Sequence, residues 1–356
     1  MLETRAFEGT PEELSQFVVS TWKASYAGKM AVPNWTGDYF RWQLRLHEPD
    51  SQRRITAAYS DGQLAGVLIF CPYDFELHGE KYRAAQSSWL SVSPDFRRMG
   101  VGKALQKGTI EACREDGVDF RIGYIYQGSA RSQGPLFWLR KGKPVQGKQA
   151  VGPKLGFWVR VLDPAGAIRW NLSGLDRFLV RMARPFIPKA KPPKPTPGLK
   201  LREFREDDLD RCVQLANAST EGAPLRILWN RETLGSQLQG YGQCLVAAQD
   251  DIVQGFIAFH ILDILGRESA PIGIIDVVCA KDLSSVASHG LLDSACAAMK
   301  QNGAVVALKF KTGDYPSGFF TRLGWAPRLA DSQMVFTWCG ERRNASTSSH
   351  CHVLWR

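Results

Sequence analysis

Ser88-Trp-Leu-Ser-Val-Ser-Pro94-Asp-Phe-Arg-Arg-Met-Gly100-Val-Gly-Lys103 is the stretch from which the rest of the chain is read. An apolar strand ends at Pro94, an arginine-bearing loop follows, and Gly100 and Gly102 open a helix that runs to about Gly117. A helix that begins this way leaves its first backbone N–H groups unpaired and aimed at whatever lies in front of them, which makes an anion site. Glycines let the backbone approach the anion closely, and Arg97, Arg98 and Lys103 add full charges to the partial charge of the helix end. Val101, Leu105, Gly108 and Ala112 fall on one face of that helix, with small residues that permit close packing on a sheet.

Strands and helices alternate on both sides of this loop. Thr4 to Phe7 reads as a first strand, and Thr10-Pro11-Glu12-Glu13 as a helix start, with threonine at the cap, proline at the first helical position and glutamate three residues after the cap. Residues 33–47, with Trp35, Tyr39, Phe40, Trp42 and Leu44, form a second helical stretch whose aromatics read first as core. Ile55 to Tyr59, the turn Ser60-Asp61-Gly62 and Leu64 to Phe70 make a β-hairpin, and Ala84 to Val92 is the strand that leads into the opening motif. Phe120 to Tyr126 is the next strand, Pro135 to Gly142 a short helix, and Gln149–Val151 and Gly156–Leu162 two further strands. The predicted fold is therefore a mixed α/β sheet. An amphipathic helical extension over 166–187 precedes Lys189-Ala-Lys-Pro-Pro-Lys-Pro-Thr-Pro-Gly198, a stiff, solvated linker.

The same plan then begins again. Leu199 to Phe204 repeats the first strand, and Asp207-Asp208-Leu209 with Cys212, Val213 and Leu215 repeats the first helix. Cys244 to Phe259 repeats the hairpin, with Gly255 where Gly66 falls in the first copy. Ile274 to Val278 answers Trp89 to Val92, and Phe319-Phe320-Thr-Arg322-Leu-Gly324 answers Phe137-Trp138-Leu-Arg140-Lys-Gly142. Recurrence in one order, at an offset of roughly 180–195 residues, predicts tandem domains of one fold. The boundaries expected are 1–182 (core to about 163), a linker at 183–198, a second domain at 199–340 and a disordered tail at 341–356.

The pattern Arg97-x-x-Gly100-x-Gly102, preceded by Leu90-x-Val92-x-Pro94, resembles the acetyl-CoA-binding signature of the GCN5-related N-acetyltransferase (GNAT) superfamily. The resemblance implies the acyl-CoA N-acyltransferase fold and acetyl-CoA as cosubstrate, with no metal. Leu90, Ser91 and Val92 would then pair with the pantetheine arm, and Arg97, Arg98, Met99, Gly100, Val101, Gly102 and Lys103 would hold the pyrophosphate. Phe137, Trp138 and Arg140 are similar to a second family landmark beside the thiol end of the cofactor. Between Ala280 and Gly290 the second copy lacks the glycine signature and carries Asp282 instead, so the resemblance is to a tandem GNAT protein whose second domain is degenerate.

The implied reaction is direct attack of an amine on the bound thioester. Many family members carry a tyrosine acid where Trp138 stands, and indole cannot take that role. Tyr124 and Tyr126, on one face of the following strand, are the nearest substitutes. For the base, Asp74, Glu76, His78 and a water relay all stay open. The acceptor implied is an amine-bearing small molecule, peptide or protein, and a homodimer is left open. The alternative reading is a non-catalytic acyl-CoA sensor or scaffold.

Composition agrees with this frame. The chain has 356 residues and a net charge of +10, with 25 basic and 18 acidic side chains in residues 1–182 against 12 and 16 in residues 202–340. A basic first half suits an anionic ligand. It would also suit nucleic acid, but no nucleic-acid-binding motif is present, so that partner is not expected. The eight cysteines are far apart, with no Cys-x-x-Cys pair, which argues against a secreted disulfide scaffold or a zinc ribbon. No apolar run has the length of a membrane span and no signal peptide opens the chain, so the expectation is a cytoplasmic protein without membrane partners.

Overall fold

The computed structural model describes residues 1–126, 149–188, 198–330, 332–341 and 350–356, with the backbone alone at 139–140 and 143–144. The first half lays down β1 (Leu2–Ala6), α1 (Pro11–Tyr26), α2 (Gly37–Gln43), β2 (Ile55–Ser60), β3 (Gln63–Leu77), β4 (Glu80–Val92), α3 (Val101–Glu115), β5 (Phe120–Tyr126) and β6 (Gln149–Val161). Thr10 caps α1 in the reciprocal way its sequence predicts: its Oγ1 accepts from the Glu13 N–H at 3.2 Å, and the Glu13 carboxylate accepts from the Thr10 N–H at 2.7 Å. The hairpin tip at Asp61-Gly62 has φ of 49° and 82°, which places two left-handed residues at the turn as its sequence demands.

Two helices, α4 (Pro164–Trp170) and α5 (Gly174–Ala183), follow, where the sequence had suggested one continuous helical stretch. The Asp163 and Ser173 side chains cap them separately, so the chain turns between the two. The second half comprises β7 (Lys200–Glu203), α6 (Leu209–Ser219), β8 (Leu225–Leu228), α7 (Arg231–Leu238), β9 (Gln243–Gln249), β10 (Ile252–Leu265), β11 (Ser269–Cys279), α8 (Ser285–Gln301), β12 (Val306–Lys311), α9 (Ser317–Thr321), β13 (Ser332–Trp338) and β14 (Cys351–His352). Among the described residues no helix is long and apolar enough to cross a membrane.

The strands run β1-β2-β3-β4-β5-β13-β6-β12-β11-β10-β9-β7 across one continuous mixed sheet. Each half gives a strand to the other. The second half's β13 lies between β5 and β6, while residues 156–161 of β6 pair with β12. The largest buried cluster accordingly draws on both halves, from Phe7 and Leu14 to Phe336 and Leu354. The repeat is also visible in close packing. A Cβ on Gly66 would lie 2.8 Å from the carbonyl oxygen of Ser91, and one on Gly255 would lie 2.7 Å from that of Cys279. In both halves the second hairpin strand approaches its neighbour at a distance only glycine permits.

Two expectations are corrected. The end of the chain is not a disordered tail over its described part: β14 pairs in parallel with β8, and Cys351, His352, Val353, Leu354 and Arg356 are all buried. Apolar residues alternating with hydrogen-bonding ones find a ready-made slot between the halves, which short-range sequence patterns cannot show. Leu139–Arg140, expected at the end of a short helix, is instead a two-residue strand paired with Lys143–Pro144, and 135–138 lie outside the described residues.

His352 shows how tightly this segment is held. Trp229 Nε1 donates to its Nε2 at 3.0 Å, which fixes a neutral ring. Burial, with Asp314 opposing it, pushes its pKa down to about 4. An unfolded histidine titrates near ~6.5, so between the two values the unfolded chain binds more protons and stability falls as pH drops through that window. The expected loss is at most ~3 kcal/mol, read from urea unfolding at stepped pH. His352→Gln should flatten the slope between pH ~6.5 and ~5, above the range where most carboxylates titrate.

Candidate active site

The chain after Pro94 turns into α3 through two left-handed residues, Arg98 at φ 66° and Gly100 at φ 85°. Gly100 is the N-cap and offers no side chain to the helix, so the first N–H groups of α3 keep their donor capacity for an outside anion. Among the described residues no carboxylate pairs with Arg97, Arg98 or Lys103. Arg97 donates to Ser25 Oγ, which ties the loop to the end of α1. The equivalent helix of the second half, α8, is capped differently: Ser284 Oγ accepts from the Ala287 N–H, so a side chain sits at the helix end where α3 has only glycine.

Beneath the loop, β4 and β5 separate. They pair in parallel from Ala84–Phe120 to Gln86–Ile122 and then part. At the same level β4 carries a bulge. Ile69 opposes Ser88 and Val67 opposes Ser91, so Trp89 and Leu90 share one partner position, and Trp89 adopts φ 55°. A bulge takes backbone groups out of the regular ladder, and a non-glycine residue held in the left-handed region costs about 1–2 kcal/mol, a cost typical of functional sites. It also resets the alternation of side chains. Leu90 and Val92 face α3 with Val101 and Leu105, whereas Trp89 packs 5.5 Å from Phe40 and Ser91 Oγ accepts from Trp22 Nε1 on the opposite face.

The opening is a cavity of about 690 Å³ that reaches both faces of the sheet. One side holds Gly100, Gly102, Lys103 and Leu90 with Ser87, Arg121 and Thr337 deeper in; the other holds Trp22, Tyr26, Tyr124, Tyr126 and Arg356. The corresponding parting in the second half lies at Asp276, the bulged residue of β11 next to the last paired residue, Ile275, and it is filled. Arg356 Nη1 donates to Asp276 Oδ1 at 3.0 Å, and the Tyr315 hydroxyl accepts from the Ala280 N–H and donates to the Val278 carbonyl.

Residues 8–130 match the family model described as an acetyltransferase (GNAT) domain. The first half of the chain carries a GNAT domain. Across its length the chain has the tandem GNAT-like fold. It superposes on Saccharomyces cerevisiae N-myristoyltransferase with bound myristoyl-CoA at a TM-score of 0.73 and 14% identity, covering 97% of this chain and 84% of that one. GCN5-related N-acetyltransferases from Anabaena variabilis and Kribbella flavida give TM-scores of 0.54 and 0.51 at 13% identity, with 94% of this chain covered in each case and 72% and 71% of theirs. At such identities the likeness is one of fold. No curated relative matches the chain in sequence.

Within the GNAT domain the structure brings Leu90, Val92, Arg97, Arg98, Gly100, Val101, Gly102, Lys103, Tyr124 and Tyr126 to one cavity. Met99 lies in the loop with its side chain exposed, and Ser91 turns away from the cavity into the α1 face. Tyr124 is held in place: its hydroxyl donates to the Leu354 carbonyl at 3.1 Å and accepts from Gln86 Nε2 at 3.3 Å, and burial raises its pKa well above the ordinary value. His78 is not near these residues. It sits at φ 52° in the turn after β3, about ten strand residues from Leu68, or roughly 30 Å. Asp74 and Glu76 line a separate cavity of about 550 Å³, where Glu76 accepts from both Nε and Nη2 of Arg226. Phe137 and Trp138 lie outside the described residues, as does the side chain of Arg140. Arg121 and Arg356 are the site residues that sequence reading missed. A lone arginine in an apolar strand was the only available signal for the first, and the second became visible only when the end of the chain was seen to fold back.

Proposed function

We propose that this protein is an acyl-CoA-dependent N-acyltransferase with one donor site, in the cleft between β4 and β5. The observation that carries the reading is the combination of an α3 capped by glycine with no side chain over its first amides and, directly beneath it, a bulged β4 parted from β5. The amides of Gly100–Gly102, with the side chains of Arg98 and Lys103, take the pyrophosphate. The pantetheine arm runs along Leu90–Val92 as a further strand, which leaves the thioester carbonyl at the bulge, where backbone N–H groups can stabilise the oxyanion. The amine approaches from the face that holds Trp22, Tyr26, Tyr124 and Tyr126. Its lone pair forms the new C–N bond, the C–S bond breaks with its electrons on sulfur, a tyrosine hydroxyl on that face protonates the thiolate, and the proton shed by the attacking nitrogen restores the tyrosine. Tyr124 and Tyr126, which line that face, are the two candidates.

Acetyl-CoA is the simplest donor the site accommodates, and an amine on a small molecule or a peptide is the acceptor class. The filled parting favours a supporting role for the second half, which closes the sheet and supplies β13 and Arg356 to the cleft. Thiol release from acetyl-CoA and longer acyl-CoAs, measured with the full chain against a panel of amines and peptides, tests the activity. Tyr124→Phe and Tyr126→Phe in the same assay should separate the acid, with about a 10²-fold or larger fall in kcat for the residue that acts. Donor binding with no thiol release from any member of the panel would leave an acyl-CoA-binding module instead.

A further inference from the structure

Arg121 stands at the inner end of the cleft on the α3 face, 2% exposed. Its Nη1 donates to Ser87 Oγ at 3.0 Å, while Nε and Nη2 are buried with no acceptor among the described residues. The ionisable groups that act on it are the thiols of Cys113 and Cys339, and burial pulls its basicity down. The other buried arginines of the described residues, Arg45, Arg54, Arg160 and Arg356, all meet carboxylates, as do the half-buried Arg202 and Arg226. Arg45 and Arg54 share Glu48, Arg160 meets Asp293, Arg202 meets Asp208, Arg226 meets Glu76 and Arg356 meets Asp276. Arg121 alone among them has none, and it lines the cleft. A guanidinium stays charged inside a protein, and a buried charge with unused donors is strongly unfavourable unless something arrives to pair with it.

We propose that the acyl group this site receives ends in a carboxylate, and that Arg121 is its receptor. The inference rests on reading the cleft as an acyl-CoA site. The thioester carbonyl lies at the bulge, at Leu90, and Arg121 bonds Ser87, three strand residues deeper, which is about 10 Å. A dicarboxylic chain of about four to six carbons, with a hydrogen bond at its end, covers that span. Nε and Nη2, on one edge of the planar fork, are buried without a partner, so a carboxylate meets them once the side chain turns that edge toward the cleft, and the fork geometry matches that anion. A plain alkyl tail of the same length would bury the guanidinium against hydrocarbon. The transfer balances as for any thioester: the amine forms the C–N bond, CoA leaves as the thiol with the proton the ammonium gives up, and the far carboxylate is unchanged in the N-(ω-carboxyacyl) product.

Calorimetric titration of the full chain with CoA, acetyl-CoA, butyryl-CoA and succinyl-CoA tests this. The last two have the same chain length and differ in a terminal methyl against a carboxylate. Succinyl-CoA is expected to bind about 10-fold or more tightly than butyryl-CoA, and Arg121→Met to bring the two within about threefold. Equal binding by the wild-type chain, or a preference that survives in R121M, overturns the proposal while the CoA site stands. Binding of none of the four, CoA included, overturns both the proposal and the reading of the cleft beneath it. Should R121M fail to fold, the wild-type ratio decides, and Arg121→Lys, which keeps the charge and loses the fork, should retain only part of it.

Discussion

Reversing the charge at the mouth of the cleft, Arg98→Glu, is expected to weaken acetyl-CoA about 100-fold without changing the fold of the protein. Arg98 is exposed, carries φ 66° and, among the described residues, has no carboxylate partner, so its charge is available to a ligand and contributes little to folding. A charge-assisted contact to phosphate is worth about 1.5–3 kcal/mol, and replacing attraction by repulsion enlarges that, so about 3 kcal/mol is the expected change. Because the site is open to solvent, the effect should shrink as salt rises. Calorimetry at low and at physiological ionic strength measures it, beside circular dichroism to establish that the variant is folded. A variant that binds within about threefold of wild type at low salt would place the pyrophosphate elsewhere.

Arg356→Met should cost about 3–5 kcal/mol of stability at neutral pH. Arg356 gives Nη1 to Asp276 and Nη2 to Gln237 Oε1 at 2.8 Å, and Asp276 Oδ2 lies 2.7 Å from His260 Nδ1, all in the interior. Burial raises the Asp276 carboxyl, but His260 and Arg356 outweigh it and hold the group below the usual carboxylate range. Its folded value being lower than its unfolded one, the network stabilises the protein above the ordinary carboxylate range and loses that contribution as pH falls through the folded value. Without Arg356 the sign inverts, since a buried carboxylate with too few partners prefers its proton. The gap between wild type and variant should therefore be widest near neutrality and narrow in acid. Urea unfolding across pH gives the measurement, and the double variant with Asp276→Asn should recover much of the loss. A deficit below about 1 kcal/mol at pH 7 would mean that the network is not what seats the end of the chain.

Local chemistry was legible where it repeats a local rule. The threonine cap of α1, the Asp61-Gly62 turn and the loop at Arg97–Lys103 follow from neighbouring residues, and Gly66 and Gly255 mark the duplicated plan, because each depends on contacts within a few residues or a single strand pair. Tyr124 and Tyr126 followed from the period of a strand and do share the cleft. His78 titrates in a useful range, but strand length alone carries it far from the bulge, which no local pattern records.

The sequence by itself determined the kind of fold, its duplication and the glycine-capped start of one helix. Tertiary structure alone decided that the halves exchange strands, that residues 351–356 run between the two strand partings, and that Arg121 is buried beside a cavity with two donors unpartnered among the described residues. The division has a physical basis. Caps, turns and helix-end amides are fixed by interactions a few residues apart, whereas burial and charge pairing depend on which distant segments meet, and that is settled only when the whole sheet closes.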